Sequence, residues 1–300
     1  MLRKWTKTML FTATAFLLTA GTFTSCSNGS SSTILEISGD VLVKCYDENI
    51  PSDGFIEIPD GVTTIGAYAF SECKNLKNVK IPDSVTTIGY CAFSICPMLE
   101  NVKIPDSVTS IGKFAFASCG SLTSVTIPDS VTIIGNNAFQ GCTIRSVKIG
   151  SGVKSIMEMT FLNCDELENV EIPDSVTSIG NRAFSGCSSL TSVKIGSGVT
   201  SIEYEAFSYC RSLTSVTIPD NVTSIGNRAF DWCESLTNVT IGNGVTSIGD
   251  GSHCKSLTSV TFTDTKGWHK EDGEEIDVTD PEKNVTYIRS GNLYKETTQE

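Results

Sequence analysis

The chain has 300 residues, of which 39% are hydrophobic, and a formal net charge of -12. An acidic protein lacks the basic footprint that nucleic-acid phosphates require. There is no G-x-S-x-G, no H-E-x-x-H and no phosphate loop, so neither an enzymatic function nor a small-molecule substrate is expected.

Residues 1–25 read as a signal peptide. MLRKWTKTM carries three positive charges, and LFTATAFLLTAGTF is an apolar run of 14, short for a bilayer span. TFTSC then ends at Cys26 and resembles the bacterial lipoprotein box, with Phe23 where leucine is usual. The expectation is a lipidated Cys26 followed by a flexible tether over residues 26–32, with plain secretion as the alternative. The chain would then be exported and held at the bacterial envelope or surface, touching the membrane through the lipid alone.

Residues 33–57 hold two alternating runs, around Ile34–Val43 and Phe55–Ile58. Turn residues Asn49, Pro51, Asp53 and Gly54 separate them, which predicts a hairpin capping the first coil. Cys45 falls in this cap.

Residues 58–262 repeat one unit, as in IPDSVTSIGNRAFSGCSSLTSVK from Ile172 to Lys194. Phenylalanines recur at Phe70, Phe93, Phe116, Phe139, Phe161, Phe184, Phe207 and Phe230, every 23 residues with one step of 22. Nine cysteines from Cys73 to Cys254 keep the same beat. A fixed period in this range predicts a solenoid in which each coil touches only its neighbours. Leu122, Val125 and Ile127 give L-x-x-V-x-I, a strand with one face inward, and stacked strands form a parallel ladder ~4.8 Å apart. The fold class is therefore a leucine-rich-repeat solenoid, a parallel β ladder of about nine 22–23-residue coils. Either Pro-Asp or Gly-x-Gly makes the corner after the strand. NNAFQGC predicts a short helical turn with Ala138, Phe139 and Cys142 inward. Residues 263–300 make a C-terminal cap and tail. The last coil, SIGDGSHCKSL, is two residues short and lacks its Phe, which marks His253 as part of a degenerating end.

The repeat cysteines occupy one equivalent position, so their side chains run parallel instead of converging as a disulfide requires. Buried free thiols are expected, with Cys45 and Cys91 off the beat and open to exposure. With no C-x-x-C and only His253 and His269, no metal or other cofactor is expected. Asp60, Asp83, Asp106, Asp129, Asp174 and Asp220 follow the corner proline, and each is expected to cap its own turn instead of binding calcium. Asn221, Asn238 and Asn284 begin N-x-T sequons, relevant only to a eukaryotic source.

Outward strand positions form two columns. One runs from Asn78 to Ser259 in Asn and Ser. The other is Lys80, Lys103, Thr126, Lys148, Glu171, Lys194, Thr217, Thr240 and Thr261. Four lysines in one column make a basic stripe on an acidic protein. It either attracts acidic or sulfated partners or is a solvated face that discourages aggregation.

The unit IPDSVTSIG…AF..C.SLTSV resembles the BspA-like leucine-rich-repeat surface proteins, the Treponema pallidum-type repeat, over roughly Ile58–Phe262. The resemblance implies adhesion to extracellular-matrix proteins such as fibronectin or fibrinogen, or to other bacteria. The site this suggests is the concave strand face carrying Lys80, Lys103, Thr126, Lys148, Glu171, Lys194 and Thr217, with a protein ligand. A periplasmic envelope scaffold is the alternative. A glycan-binding module is disfavoured by the scarcity of aromatics on these columns.

Overall fold

A computed structural model describes residues 33–251 and 253–296. The signal peptide, Cys26 and the tether lie outside the described residues. Each coil contributes two strands because its apolar residues alternate twice, at V-x-I and again at S-I-G. Ten strands form the first ladder in three paired segments, Phe55–Glu57 to Asn101–Val102, Ser124–Ile127 to Ser192–Lys194, and Ser215–Ile218 to Ser259–Phe262. All its pairings are parallel and in register, as in Val147 opposite Val125 and Val216 opposite Val239. A second ladder of two-residue strands, such as Thr87–Ile88 and Ser178–Ile179, makes another wall. It breaks between Ile133–Ile134 and Ser155–Ile156, where the chain takes its 22-residue step.

The third wall differs from the expected helical turn. Ala69 N–H donates to Gly66, Ser71 to Tyr68 and Cys73 to Phe70, so three overlapping β-turns replace a helix. The intervening amides of Tyr68, Phe70 and Glu72 donate to Tyr90, Ala92 and Ser94 one coil on. Reaching both neighbours requires two left-handed residues per coil, such as Arg182 (φ 54) and Gly186 (φ 77) or Glu205 (φ 53) and Tyr209 (φ 58). A helix would direct every one of these amides back into its own coil.

The core is a column of rings, fully buried from Phe70 to Phe207 and partly buried at Phe230. Phe70 through Phe230 stack face to face with centroids 4.8–5.5 Å apart and planes within 10°. Burying each ring is worth about 2–3 kcal/mol. Beside them stand the cysteines of the described residues, all buried, including Cys45 and Cys91, for which exposure was open. From Cys96 onward each repeat thiol donates to the carbonyl of the preceding coil's Phe, as Cys96 does to Phe70 (3.0 Å) and Cys233 to Phe207 (3.2 Å). At Phe70, Phe139, Phe161, Phe184, Phe207 and Phe230 that carbonyl also accepts from the cysteine amide of its own coil, so the thiol satisfies its second lone pair. Cys45 belongs to this pattern: its amide donates to Ala69, and its carbonyl faces the Cys73 thiol, as a Phe would.

The N-terminal hairpin also differs from expectation. It lies wholly within the first run, as antiparallel strands Leu35–Ser38 and Val41–Cys45. The second run is already solenoid, with Phe55–Glu57 pairing parallel to Asn78–Lys80. Val41 and Leu42 likewise start the second ladder beside Thr64 and Ile65.

At the C-terminal end, strands Trp268–Lys270 and Leu293–Lys295 add antiparallel to the second ladder. Helix Pro281–Ser290 is N-capped by Asp280. Its Arg289 bonds the carbonyls of Cys254, Lys255 and Leu257, which have no further coil to accept from. Asn284 is fully buried and donates to Val260 and Val278, so its sequon is inaccessible. The phenylalanine missing after Phe230 leaves an apolar void of about 40 Å³ lined by Phe230, Ile248 and Ile288.

Candidate functional site: the outward strand face

The first ladder points alternate side chains to solvent, and within its segments the register brings the predicted column together, while Lys103 falls just past Asn101–Val102, outside the paired residues. Thr126 lies opposite Lys148, Glu171 opposite Lys194 and Thr217 opposite Thr240. Lys80, Lys103, Thr126, Lys148, Glu171, Lys194 and Thr217 are all exposed.

Glu57 was missed, because residues 33–57 were assigned to the cap. It sits opposite Lys80, and their side chains pair at 2.5 Å. Lys194 pairs with Glu171 in the same way. These bonds raise the pKa of both lysines. The stripe is therefore less basic than its lysine count suggests. Lys103 and Lys148 form no ion pair among the described residues, and beyond Lys194 the column becomes Thr217, Thr240 and Thr261. Exposed pairs of this kind contribute little stability, so their importance is in setting where charge remains.

The aspartates beside this face do not cap their own turns. Asp129 accepts from the backbone amide and hydroxyl of Ser151, one coil on. Asp174 does the same with Ser197, and Asp220 accepts from the Asn243 amide. These are the three places where a Gly-x-Gly corner follows a Pro-Asp corner. The second glycine is required there: a Cβ on Gly198 would lie 1.9 Å from the Asp174 carbonyl oxygen, and one on Gly244 2.0 Å from that of Asp220. Backbone bonds from Ser151 and Ser197, then their hydroxyls, hold the carboxyls of Asp129 and Asp174 below the usual range. Where Pro-Asp-Ser corners succeed one another, the serine instead reaches back, as Ser107 does to the Val85 carbonyl.

A family model described as BspA type leucine rich repeat region matches in six copies, over residues 44–168 and 154–267. The chain belongs to this family. The BspA-type solenoid is similar to the crystal structure of a leucine-rich-repeat protein of Treponema pallidum, at 28% identity over 67% of this chain and 86% of that one, with a TM-score of 0.50. It is also similar to a leucine-rich-repeat protein of Bacteroides ovatus ATCC 8483, at 26% identity over 69% and 78% of the two chains, TM-score 0.40. A leucine rich cell surface protein from Faecalibacterium prausnitzii A2-165 matches at 28% identity over 71% and 79%, TM-score 0.40. No curated protein matches the chain.

The third wall carries aromatics that the strand columns lack. Tyr209, Trp232 and His253 stack along the axis at 5.9 and 4.7 Å, with planes within 6°. Asp231 anchors His253 through Nδ1 at 2.8 Å. Near the other end, Tyr68 meets Tyr90 edge-on at 5.1 Å. The 23-residue spacing of Tyr209 and Trp232 was a legible signal for the first stack.

Proposed function

We infer that this BspA-type protein is a surface-exposed, non-enzymatic binding module that engages an extracellular-matrix or other cell-surface macromolecule through its outward strand face. The observation that carries this reading is the exposed column of the first ladder, with Lys103 and Lys148 free of ion pairs among the described residues. A face of ten strands in three paired segments presents a broad, ordered surface at little ordering cost on binding. Unpaired cations on an acidic chain favour an acidic or sulfated region of the partner. The leader-like first 25 residues and Cys26 support export and a lipid anchor.

The test is protease treatment of intact cells, beside lysed ones, followed by detection of the protein. Removal from intact cells supports surface exposure. Protection in intact cells and cleavage only after lysis would favour the periplasmic scaffold.

A further inference from the structure

Along the third wall, one position per coil precedes the repeat cysteine and has a positive φ. Its occupants include Asn163 (φ 56), Gly186 (φ 77), Tyr209 (φ 58) and Trp232 (φ 57). Trp232 covers one face of the Tyr209 ring. The other face looks along the axis toward Gly186, which has no side chain to cover it. A groove of about 490 Å³ opens there, lined by Asn163, Asp165, Gly186, Glu205, Tyr209 and Arg211 among others. Asn163 leans in from the far side: its Oδ1 would lie 2.3 Å from a Cβ on Gly186. Asn163 and Tyr209 are two coils apart, roughly 10 Å at a ~4.8 Å strand spacing, and because the Asn163 amide reaches the Gly186 level, a ring stacked on Tyr209 takes that space with the Asn163 side chain turned aside to its edge.

The chemistry of the rim limits what fits. Glu205 is engaged by Arg182 at 2.7 Å. Burial pushes its carboxyl up, but bonds from Tyr204 and Arg182 and the charges of Arg182 and Arg228 outweigh that and hold it below its ordinary value. Arg211 is loosely matched with Glu234 at 3.6 Å. Asp165 and Arg211 are then the main groups left, one of each sign, beside the amide of Asn163 and the hydroxyl of Ser188. The slot offers one bare aromatic face and a ring of neutral and balanced polar groups. A polyanion or a multiply charged cation finds no net field there. A flat, weakly charged, polyhydroxylated ring finds a stacking platform and partners for its hydroxyls.

We propose that the slot between Asn163 and Tyr209, opened by Gly186, binds a single pyranose ring of a saccharide, stacked on the Tyr209 face. This site is independent of the strand-face reading, being on another wall.

The test uses the purified protein with methyl glycosides of galactose, glucose, mannose and N-acetylglucosamine, and with adenosine as a flat polar control. Saturation-transfer NMR gives contact and Trp232 fluorescence gives affinity. Two variants bracket the site. Tyr209→Ala removes the platform. Gly186→Tyr fills the slot with a ring, at a backbone position where neighbouring coils already carry Asn, Tyr and Trp. Its only close obstacle is the end of the Asn163 side chain, so this variant folds. At least one glycoside should bind in the millimolar range usual for a single small ring, and each variant should weaken it about tenfold or more, which is ~1.4 kcal/mol. Lys103→Glu/Lys148→Glu should leave it unchanged. The proposal is overturned if no glycoside binds the parent, if Gly186→Tyr binds as the parent does, or if adenosine binds more tightly than every glycoside.

Discussion

The Cys187 thiol donates to the carbonyl of Phe161, one coil earlier, at 3.3 Å. The same carbonyl takes the Cys164 amide at 3.2 Å. The stacked rings and the stacked thiols are thus one device: the cysteine closes a lone pair that the turn wall leaves open inside the core.

Cys187→Ala removes that donor and a small apolar volume. The expected loss is about 1–2 kcal/mol, measured by urea denaturation. Burial pushes the thiols of Cys187, Cys210 and Cys233 well up, and that of Cys164 up to about 12. An aromatic disulfide reagent at pH 8 should therefore leave these four unmodified in native protein and label them after unfolding.

Phe161→Ala interrupts the ring column at its centre and should cost about 3–5 kcal/mol. In a structure where coils touch only neighbours, this should also split the transition. Hydrogen exchange should then show one side of the lesion opening before the other. A single, merely shifted transition would mean that the coils are coupled over longer range.

The corner glycines separate packing from propensity. Gly198→Ala drives a Cβ into the Asp174 carbonyl and should destabilise by roughly 3 kcal/mol or more, in the tail of point-mutant effects. Gly61→Ala, where a Cβ meets nothing within 4 Å, should cost only its positive-φ strain of about 1–2 kcal/mol. Thermal melts of the two, compared, decide the matter.

Asp129 and Asp174 predict an acid limit. Their folded pKa values are depressed, so ionisation favours the folded state. Their contribution is full above the unfolded value of about 3.9 and is lost as pH falls through the lower folded value. Melting temperature should drop below about pH 4. Asp129→Asn with Asp174→Asn should flatten that drop while lowering stability at neutral pH.

The architecture was legible because a 23-residue beat states both the coil and its neighbour: Val216 against Val239 follows from spacing alone. What was not legible depended on backbone direction. NNAFQGC has helical composition, yet its alternate amides must serve the next coil, and left-handed residues such as Asn137 supply that. Asp129 looked self-capping because it directly follows the corner Pro128, whereas its partner Ser151 is 22 residues away, one coil on. Glu57 was hidden by a cap boundary drawn one strand too late. The Tyr209–Trp232 stack was not legible as a surface because it lies on the turn wall, off the strand columns that period-two alternation marks as outward.

The most direct test of the strand-face account is binding to immobilised matrix proteins and sulfated glycans by the parent, by Lys103→Glu/Lys148→Glu and by Lys80→Glu/Lys194→Glu. The account predicts salt-sensitive binding by the parent, loss in the first variant, and a smaller effect in the second, whose lysines are already neutralised by Glu57 and Glu171. Undiminished binding by the folded Lys103→Glu/Lys148→Glu variant, or none by the parent, would contradict it.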